Sequence, residues 1–311
     1  MTDAAWGRLT DRENKIVCSP SALLSFREDP EVYKLRYIDK EKETNASMEF
    51  GTLVHLATLE PEKFEEQFST LPEKTPENDL STDELKAICK ELEEKVTGTK
   101  RELAERIRAH RPEFKLWEEL CDEMTSQGKN LLPPATMHKI KAIKAKIYSH
   151  PKVGEWLRLS EKEKRGYFTH KSGVTMPFLA DAFFKHNGVG VVIDLKITKD
   201  WQSRKFMYNL FDNGYHIQAA AYLVGISEIE NQSFNNFLFI AIEPKAPHRV
   251  RFYQLDQAAI EAGTLELNHY LNEFKERWQN KDFGPRMIDT QIQETSLAPF
   301  AWEKLGDMDN D

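Results

Sequence analysis

The chain has 311 residues, 40% hydrophobic and 30% charged, with a formal net charge of −8. That length buries a substantial core, and one elaborated domain with a small insert accounts for it. No stretch is apolar enough for a membrane span and the N-terminus lacks the basic-then-apolar order of a signal peptide, so a cytoplasmic protein is expected; Cys18, Cys89 and Cys121 stand apart as reduced thiols, without a four-cysteine iron–sulfur pattern.

In chain order, the first local signal is residues 71–79, LPEKTPEND, a polar linker containing two prolines. Residues 80–110 then carry two capping-box signatures, Ser81 with Glu84 and Thr99 with Glu102, which predict two short helices joined by a turn at Thr97-Gly98. Leu85, Ile88, Leu92, Val96, Leu103 and Ile107 recur at helical spacing and predict a small shared core. Lysines and arginines here are matched by acids, so the stretch has no strong electrostatic footprint of its own. Residues 128–134, GKNLLPP, break the chain again. The following 135–149 interleave Lys139, Lys141, Lys144 and Lys146 with Ile140, Ile143 and Ile147, a basic amphipathic helix that serves either as a solvated face or as a phosphate contact.

Residues 176–198, MPFLADAFFKHNGVGVVIDLKIT, place two apolar runs around Asn187-Gly188, the pair favoured in two-residue hairpin turns. With those two at the turn centre, His186 faces Val189 and the register puts Asp181 opposite Asp194. Cross-strand Cβ atoms lie about 5 Å apart, so two carboxylates there repel unless a cation neutralises them. Period-two alternation sends Asp194, Lys196 and Thr198 to one face and Ile193, Leu195 and Ile197 into the core. Alone, an Asp-x-Lys on a strand is an ordinary alternation of charge. Residues 213–224 read as a helix, with Gln218 and Tyr222 one turn apart on one face and His216 turned elsewhere in a structural role. Further strands are predicted at 236–243 and 249–255, around a proline-containing turn at 244–248, and a long helix at 257–279. The acidic tail, 306–311, is expected to be disordered.

The set His55, Asp181, Asp194-x-Lys196 and Gln218-x-x-x-Tyr222 resembles the PD-(D/E)xK nucleases of the RecB-type branch, with Asp194 standing where many relatives have Glu. More narrowly the chain looks like the RecE-type (exonuclease VIII-like) phage and prophage exonucleases. That similarity runs through Ser19-Pro20-Ser21-Ala22-Leu23, Gly51-Thr52-Leu53-Val54-His55, Leu59-Glu60-Pro61-Glu62-Lys63-Phe64, Phe239-Ile240-Ala241-Ile242-Glu243 and Pro299-Phe300-Ala301-Trp302. The resemblance implies an α/β, restriction-endonuclease-like core with a central mixed β-sheet flanked by helices. It divides the chain into 1–71 and 116–311 as one nuclease domain, with a catalytic core at 166–255, and an insert at 80–110. The insert resembles a SAP-type helix-loop-helix module, most closely at residues 98–103. Lys100 and Arg101 there, with Lys139 and Lys146, are the candidate DNA contacts; the alternative is a helical hairpin that contacts a neighbouring subunit or the nuclease body.

By the same resemblance His55, Asp181, Asp194 and the Leu195 carbonyl hold the metal, Lys196 positions the attacking water, and Gln218 and Tyr222 organise the scissile phosphate. Hard oxygen donors favour Mg²⁺ or Mn²⁺. The implied activity is an exodeoxyribonuclease acting on linear double-stranded DNA ends from 5′ to 3′, leaving 3′ single-stranded tails for a single-strand annealing recombinase, in a homo-oligomeric ring. A total charge of −8 is compatible with this, because positive charge concentrated in a channel coexists with an acidic exterior. Two alternatives stand beside it, an endonuclease or structure-specific nuclease on the same fold, and a DNA-binding recombination scaffold with an inactive site.

Overall fold

The computed structural model describes residues 15–40, 46–186, 189–286 and 296. The expected turn residues Asn187 and Gly188, the Pro299–Trp302 motif and the 306–311 tail lie outside them. A short strand β1 (Ile16–Val17) leads into α1 (Pro20–Glu28), whose N-cap Ser19 accepts a hydrogen bond from the Ala22 N–H ahead of a first-turn proline. Helix α2 (Ala46–Leu59) follows and carries His55. Strand β2 (Phe68–Thr70) then closes the segment before the insert.

Both predicted capping boxes are present, at Ser81 and Thr99, and they start α3 (Thr82–Glu91) and α4 (Lys100–His110). A third helix, α5 (Trp117–Ser126), completes this region. Its core is separate from the rest and consists of Leu80, Leu85, Cys89, Leu103, Ala104, Ile107 and Leu116, with Ile88 and Leu92 packed at its edge. Val96, assigned to that core by periodicity, is 39% exposed, because it lies in the irregular stretch between the helices. Strand β3 (Asn130–Leu132) returns to pair parallel with β2 in register Phe68↔Asn130, so the excursion leaves and re-enters the body at one place.

Helices α6 (Pro134–Ser149) and α7 (Pro151–Leu159) lead into β4 (Glu161–Thr169), β5 (Val174–His186) and β6 (Val189–Ile197). After them come α8 (Ser203–Asp212), α9 (Tyr215–Ile229), β7 (Phe234–Ile242), β8 (Val250–Gln254) and α10 (Gln257–Asn280). The main sheet is mixed: β5 pairs antiparallel with β4 and β6, β6 parallel with β7, and β7 antiparallel with β8, while β1 pairs parallel with the start of β5. The hairpin register runs from Ala182↔Ile193 to His186↔Val189, as the sequence predicts.

Both faces of the sheet are covered. Phe178, Val192, Phe237 and Phe239 pack against α1, α9 and α10 through Phe26, Ile217, Ala220 and Phe274; Phe184, Ile193, Leu195 and Ile240 pack against α2, α6 and α7 through Val54, Ile143 and Val153. Each such side chain, fully buried, contributes roughly 1.5–3 kcal/mol. The approach of α9 to α10 needs a glycine: a Cβ on Gly263 would meet the His216 carbonyl oxygen at 2.2 Å. His216 itself is 3% exposed and bridges the Leu210 carbonyl and Glu266, the structural role expected of it.

Candidate active site

The site forms where β5 and β6 part. Their ladder ends at Ala182↔Ile193; continued by one residue, that register would put Asp181 opposite Asp194. The two acids stand instead at the mouth of a gap, and the Asp181 carboxylate fills it by accepting the Leu195 N–H at 2.7 Å. The alternation of β5 also breaks at this residue. Met176, Phe178 and Ala180 face one core, whereas Ala182 and Phe184 face the other. Facing Asp181 across β4, between the pairs Lys162↔Ala182 and Lys164↔Ala180, Glu163 holds a positive φ of 51°. A non-glycine residue in that region stores on the order of 1 kcal/mol or more. Strain, a broken alternation and a strand fork therefore coincide at one carboxylate.

Asp194 and Lys196 lie on the α9 side of β6, so the polar face predicted from the sequence is covered rather than solvated. Asp194 is 2% exposed. Its Oδ2 is 2.9 Å from the Lys196 Nζ yet has no hydrogen bond of acceptable geometry, an orphaned buried oxygen. Lys196 donates to the Gln218 Oε1 at 3.0 Å, and the Gln218 amide donates to the Tyr222 hydroxyl at 2.9 Å, which gives a continuous chain from strand to helix. The Tyr215 ring covers the lysine, with Nζ 4.6 Å from its centroid. From α2, the His55 Nδ1 reaches 3.5 Å from the Asp181 Oδ2.

The protonation of these groups follows from their crowding. Burial lifts Asp194 to about 6, against the pull of Lys196 and with the repulsion of Asp181. Burial alone would raise Asp181 too, but His55 and the Leu195 N–H hold it below the ordinary carboxylate value. Burial would lower His55, and the adjoining Asp181 outweighs that and carries it up to about 9. Lys196 is desolvated yet raised by Asp194, Tyr215 and Asp181, so it is a fixed cation. Glu163 is pushed up to about 7 by burial, then by Asp181 and Glu60.

His55, Asp181, Asp194, Leu195, Lys196, Gln218 and Tyr222 thus converge, with the Leu195 carbonyl opening on the same edge of β6 as its N–H, toward Asp181. Among the described residues, no three His, Cys, Asp or Glu side chains stand close enough to hold a metal as they lie. The donor set still fits a hard divalent ion: two crowded carboxylates, one with an oxygen lacking a partner, beside a main-chain carbonyl. Lys100, Arg101, Lys139 and Lys146 are not part of this cluster. Lys100 pairs with Glu118 at 2.7 Å and Arg101 with Asp122 at 2.7 Å, both acids on α5. Lys139 lies over the Phe50 ring at 4.4 Å, and Lys146 is exposed. Glu163 and Tyr215 escaped the sequence reading. Glu163 lies in a run of alternating charges, EKEKR, and Tyr215 is an ordinary first-turn aromatic.

A sequence profile of the PDDEXK-like domain of unknown function (DUF3799) matches residues 19–287. The chain belongs to this family. It is thereby a member of the PD-(D/E)xK nuclease superfamily, whose enzymes generally use divalent metals. No curated protein matches the sequence. Among solved structures, one described as a "putative exonuclease" from Eubacterium rectale superimposes with a TM-score of 0.51 at 14% identity over 93% of each chain, which shows a shared fold. The protein SSO0001 aligns over 76% of this chain and 89% of its own at 16% identity with a TM-score of 0.29. Among the described residues of this family member, no helix is long and apolar enough to cross a membrane.

Proposed function

We propose that the protein is a divalent-metal-dependent exodeoxyribonuclease that degrades one strand of linear double-stranded DNA, 5′ to 3′, and leaves 3′ tails for strand annealing. The observation that carries the phosphodiester chemistry is the strand fork, where the half-buried Asp181 and the buried Asp194 crowd one gap and Asp194 keeps an oxygen without a hydrogen-bond partner. The Eubacterium rectale protein's description as an exonuclease favours attack from an end. Polarity, strand annealing and assembly as a ring follow the resemblance to RecE-type enzymes.

Asp181, Asp194, the Leu195 carbonyl and His55 would hold Mg²⁺ or Mn²⁺, which supplies a nucleophilic water at neutral pH and neutralises charge on the phosphoryl oxygens. Lys196, held as a cation by Asp194, donates hydrogen bonds and favours negative charge developing beside it. It cannot serve as a base while that pairing lasts. Gln218 accepts a hydrogen bond from Lys196 and donates one to the Tyr222 hydroxyl, so Gln218 fixes where the lysine head points and Tyr222 acts on it through Gln218. Tyr215 shields the same head from water on its open side.

The test is Mg²⁺-dependent digestion of one duplex supplied linear and as a covalently closed circle, with 5′ and 3′ ends labelled separately. Loss of the linear form alone with early release of 5′ label is expected. Cutting of the circle gives the endonuclease reading instead, and digestion of neither form leaves a binding protein.

A further inference from the structure

Helix α8 follows β6 directly and is apolar on the wrong side. Its inward residue, Phe206, is 1% exposed, stacks on Tyr253 with centroids 4.3 Å apart and lies 6.2 Å from the Tyr215 ring that covers Lys196. Arg204, Met207, Tyr208 and Phe211 occur at i, i+3, i+4 and i+7 and form the opposite, solvent-facing stripe. Met207 and Tyr208 are each 61% exposed and Phe211 is 58% exposed. Scattered exposed apolar residues need no explanation, but three large ones in one stripe mark an interaction surface.

The surroundings say what kind. Lys199, Arg204, Lys205, Lys245, Arg249 and Arg251 outnumber Asp200, Asp212 and Glu243 in the two segments that meet here, residues 199–212 and 243–251, in a chain of net charge −8. The segments meet at Trp201, whose ring centroid is 4.8 Å from the Arg249 guanidinium and 5.2 Å from that of Arg251; Arg251 also donates to the Ser203 hydroxyl at 2.9 Å. At the far end of the stripe the Phe211 ring stacks on His216, centroids 5.6 Å apart, with the Arg27 guanidinium 5.1 Å from it, which fixes that end and leaves Met207 and Tyr208 as the open part of the surface. An aromatic stripe with interleaved cations matches the two surfaces of an unpaired nucleic-acid strand, ring faces and phosphates. A duplex offers phosphates but keeps its ring faces stacked inside; Arg249 pairs with Glu243 at 3.1 Å and Lys205 lies 3.9 Å from Asp200, and the six cations still exceed the three acids here, an excess that a neutral protein partner does not match.

We infer that the Arg204–Met207–Tyr208–Phe211 stripe of α8 is a stacking platform for single-stranded nucleic acid beside the cleavage site. This inference rests on the nuclease reading for the identity of the strand, since α8 leaves the Lys196 strand and packs on the Tyr215 ring. A strand separated from its complement at the cleft crosses the stripe as it leaves.

The test uses the full-length protein with the double variant M207S/Y208S, both positions solvent-facing, and fluorescence anisotropy with a labelled single-stranded oligonucleotide and its blunt duplex in Ca²⁺ without Mg²⁺. Stacking is worth roughly 1–3 kcal/mol per base, so single-strand affinity is expected to fall about tenfold or more while duplex affinity changes less than about threefold. Tyr208→Phe, which keeps the ring and loses the hydroxyl, is expected to retain single-strand affinity. Equal loss for both DNAs, or no loss for either, overturns the platform, as does a change confined to the sedimentation mass, which would assign the stripe to a second copy of the chain. The digestion assay is read separately. A wild type that cleaves alongside a double variant of unchanged affinity sinks the platform alone, and a wild type that does not cleave while the variant loses single-strand affinity sinks the nuclease reading alone.

Discussion

The strand fork and the insert are both rich in charge, and they treat it in opposite ways. In the insert, Lys100–Glu118, Arg101–Asp122 and Arg108–Glu119 pair across helices, and Lys115–Glu123 between the preceding loop and α5, at 2.6–2.7 Å on a largely exposed surface. Such pairs contribute about 0–1 kcal/mol each and leave nothing unsatisfied. At the fork, Asp194 is 2% exposed and repelled by Asp181, and Lys196 donates to its Oδ1 at 3.3 Å but leaves Oδ2 without a hydrogen bond. Taking charge out of water without full compensation costs several kcal/mol, and a fold tolerates it where a ligand supplies the rest. Surface charge that is already paired describes how a module is held together. Buried charge left incomplete describes what it is for.

The comparison breaks most sharply at the acids. Asp181→Ala or Asp194→Ala is expected to lower Mg²⁺-dependent cleavage by about a thousandfold or more while DNA binding in Ca²⁺ persists, measured by end-label release beside anisotropy. Near-wild-type turnover in either variant would falsify the site assignment. Acidity sharpens the same point. Asp194 titrates near 6 in the folded metal-free protein against an ordinary 3.8, so between those values the fold holds a proton that a metal must displace. By the same linkage, this group makes the metal-free protein less stable as pH rises from about 4 to about 6. Calorimetric Mg²⁺ affinity should therefore rise through about pH 6, and again toward about 9 as His55 gives up its proton.

The insert should respond through its core and hardly through its charges. Leu103 is fully buried in a cluster separate from the sheet cores. Leu103→Ala is expected to cost about 2–5 kcal/mol, read as hydrogen exchange opening across residues 80–116 with the sheet amides still protected. Opening of the whole chain would show that the insert and body fold as one unit. The smallest effect is Asp122→Ala, which removes the exposed partner of Arg101 and should lower stability by less than about 1 kcal/mol, measured by denaturant midpoint. A larger loss would mean that α5 holds α4 in place through that pair.

Local signals carried much of this into the sequence. The hairpin register read from the Asn187-Gly188 pair is the one found between the flanking strands, and Ser81, Glu84, Thr99 and Glu102 set two helix starts, because turn and capping chemistry act over a few residues. The spacing of Gln218 and Tyr222 gave their shared face for the same reason. Three things needed the tertiary structure. The register runs to Ala182↔Ile193 and then stops, since the fork depends on how both strands are packed from either face. Glu163 came to face Asp181 only through the pairing of β4 with β5. Lys100 and Arg101 were neutralised by α5, a helix whose docking no local pattern encodes. The sequence determined which groups could do chemistry and how each element begins, because those are properties of neighbours along the chain. Which charges were left incomplete was decided by contacts between residues far apart in sequence, and burial is set by the whole packed molecule.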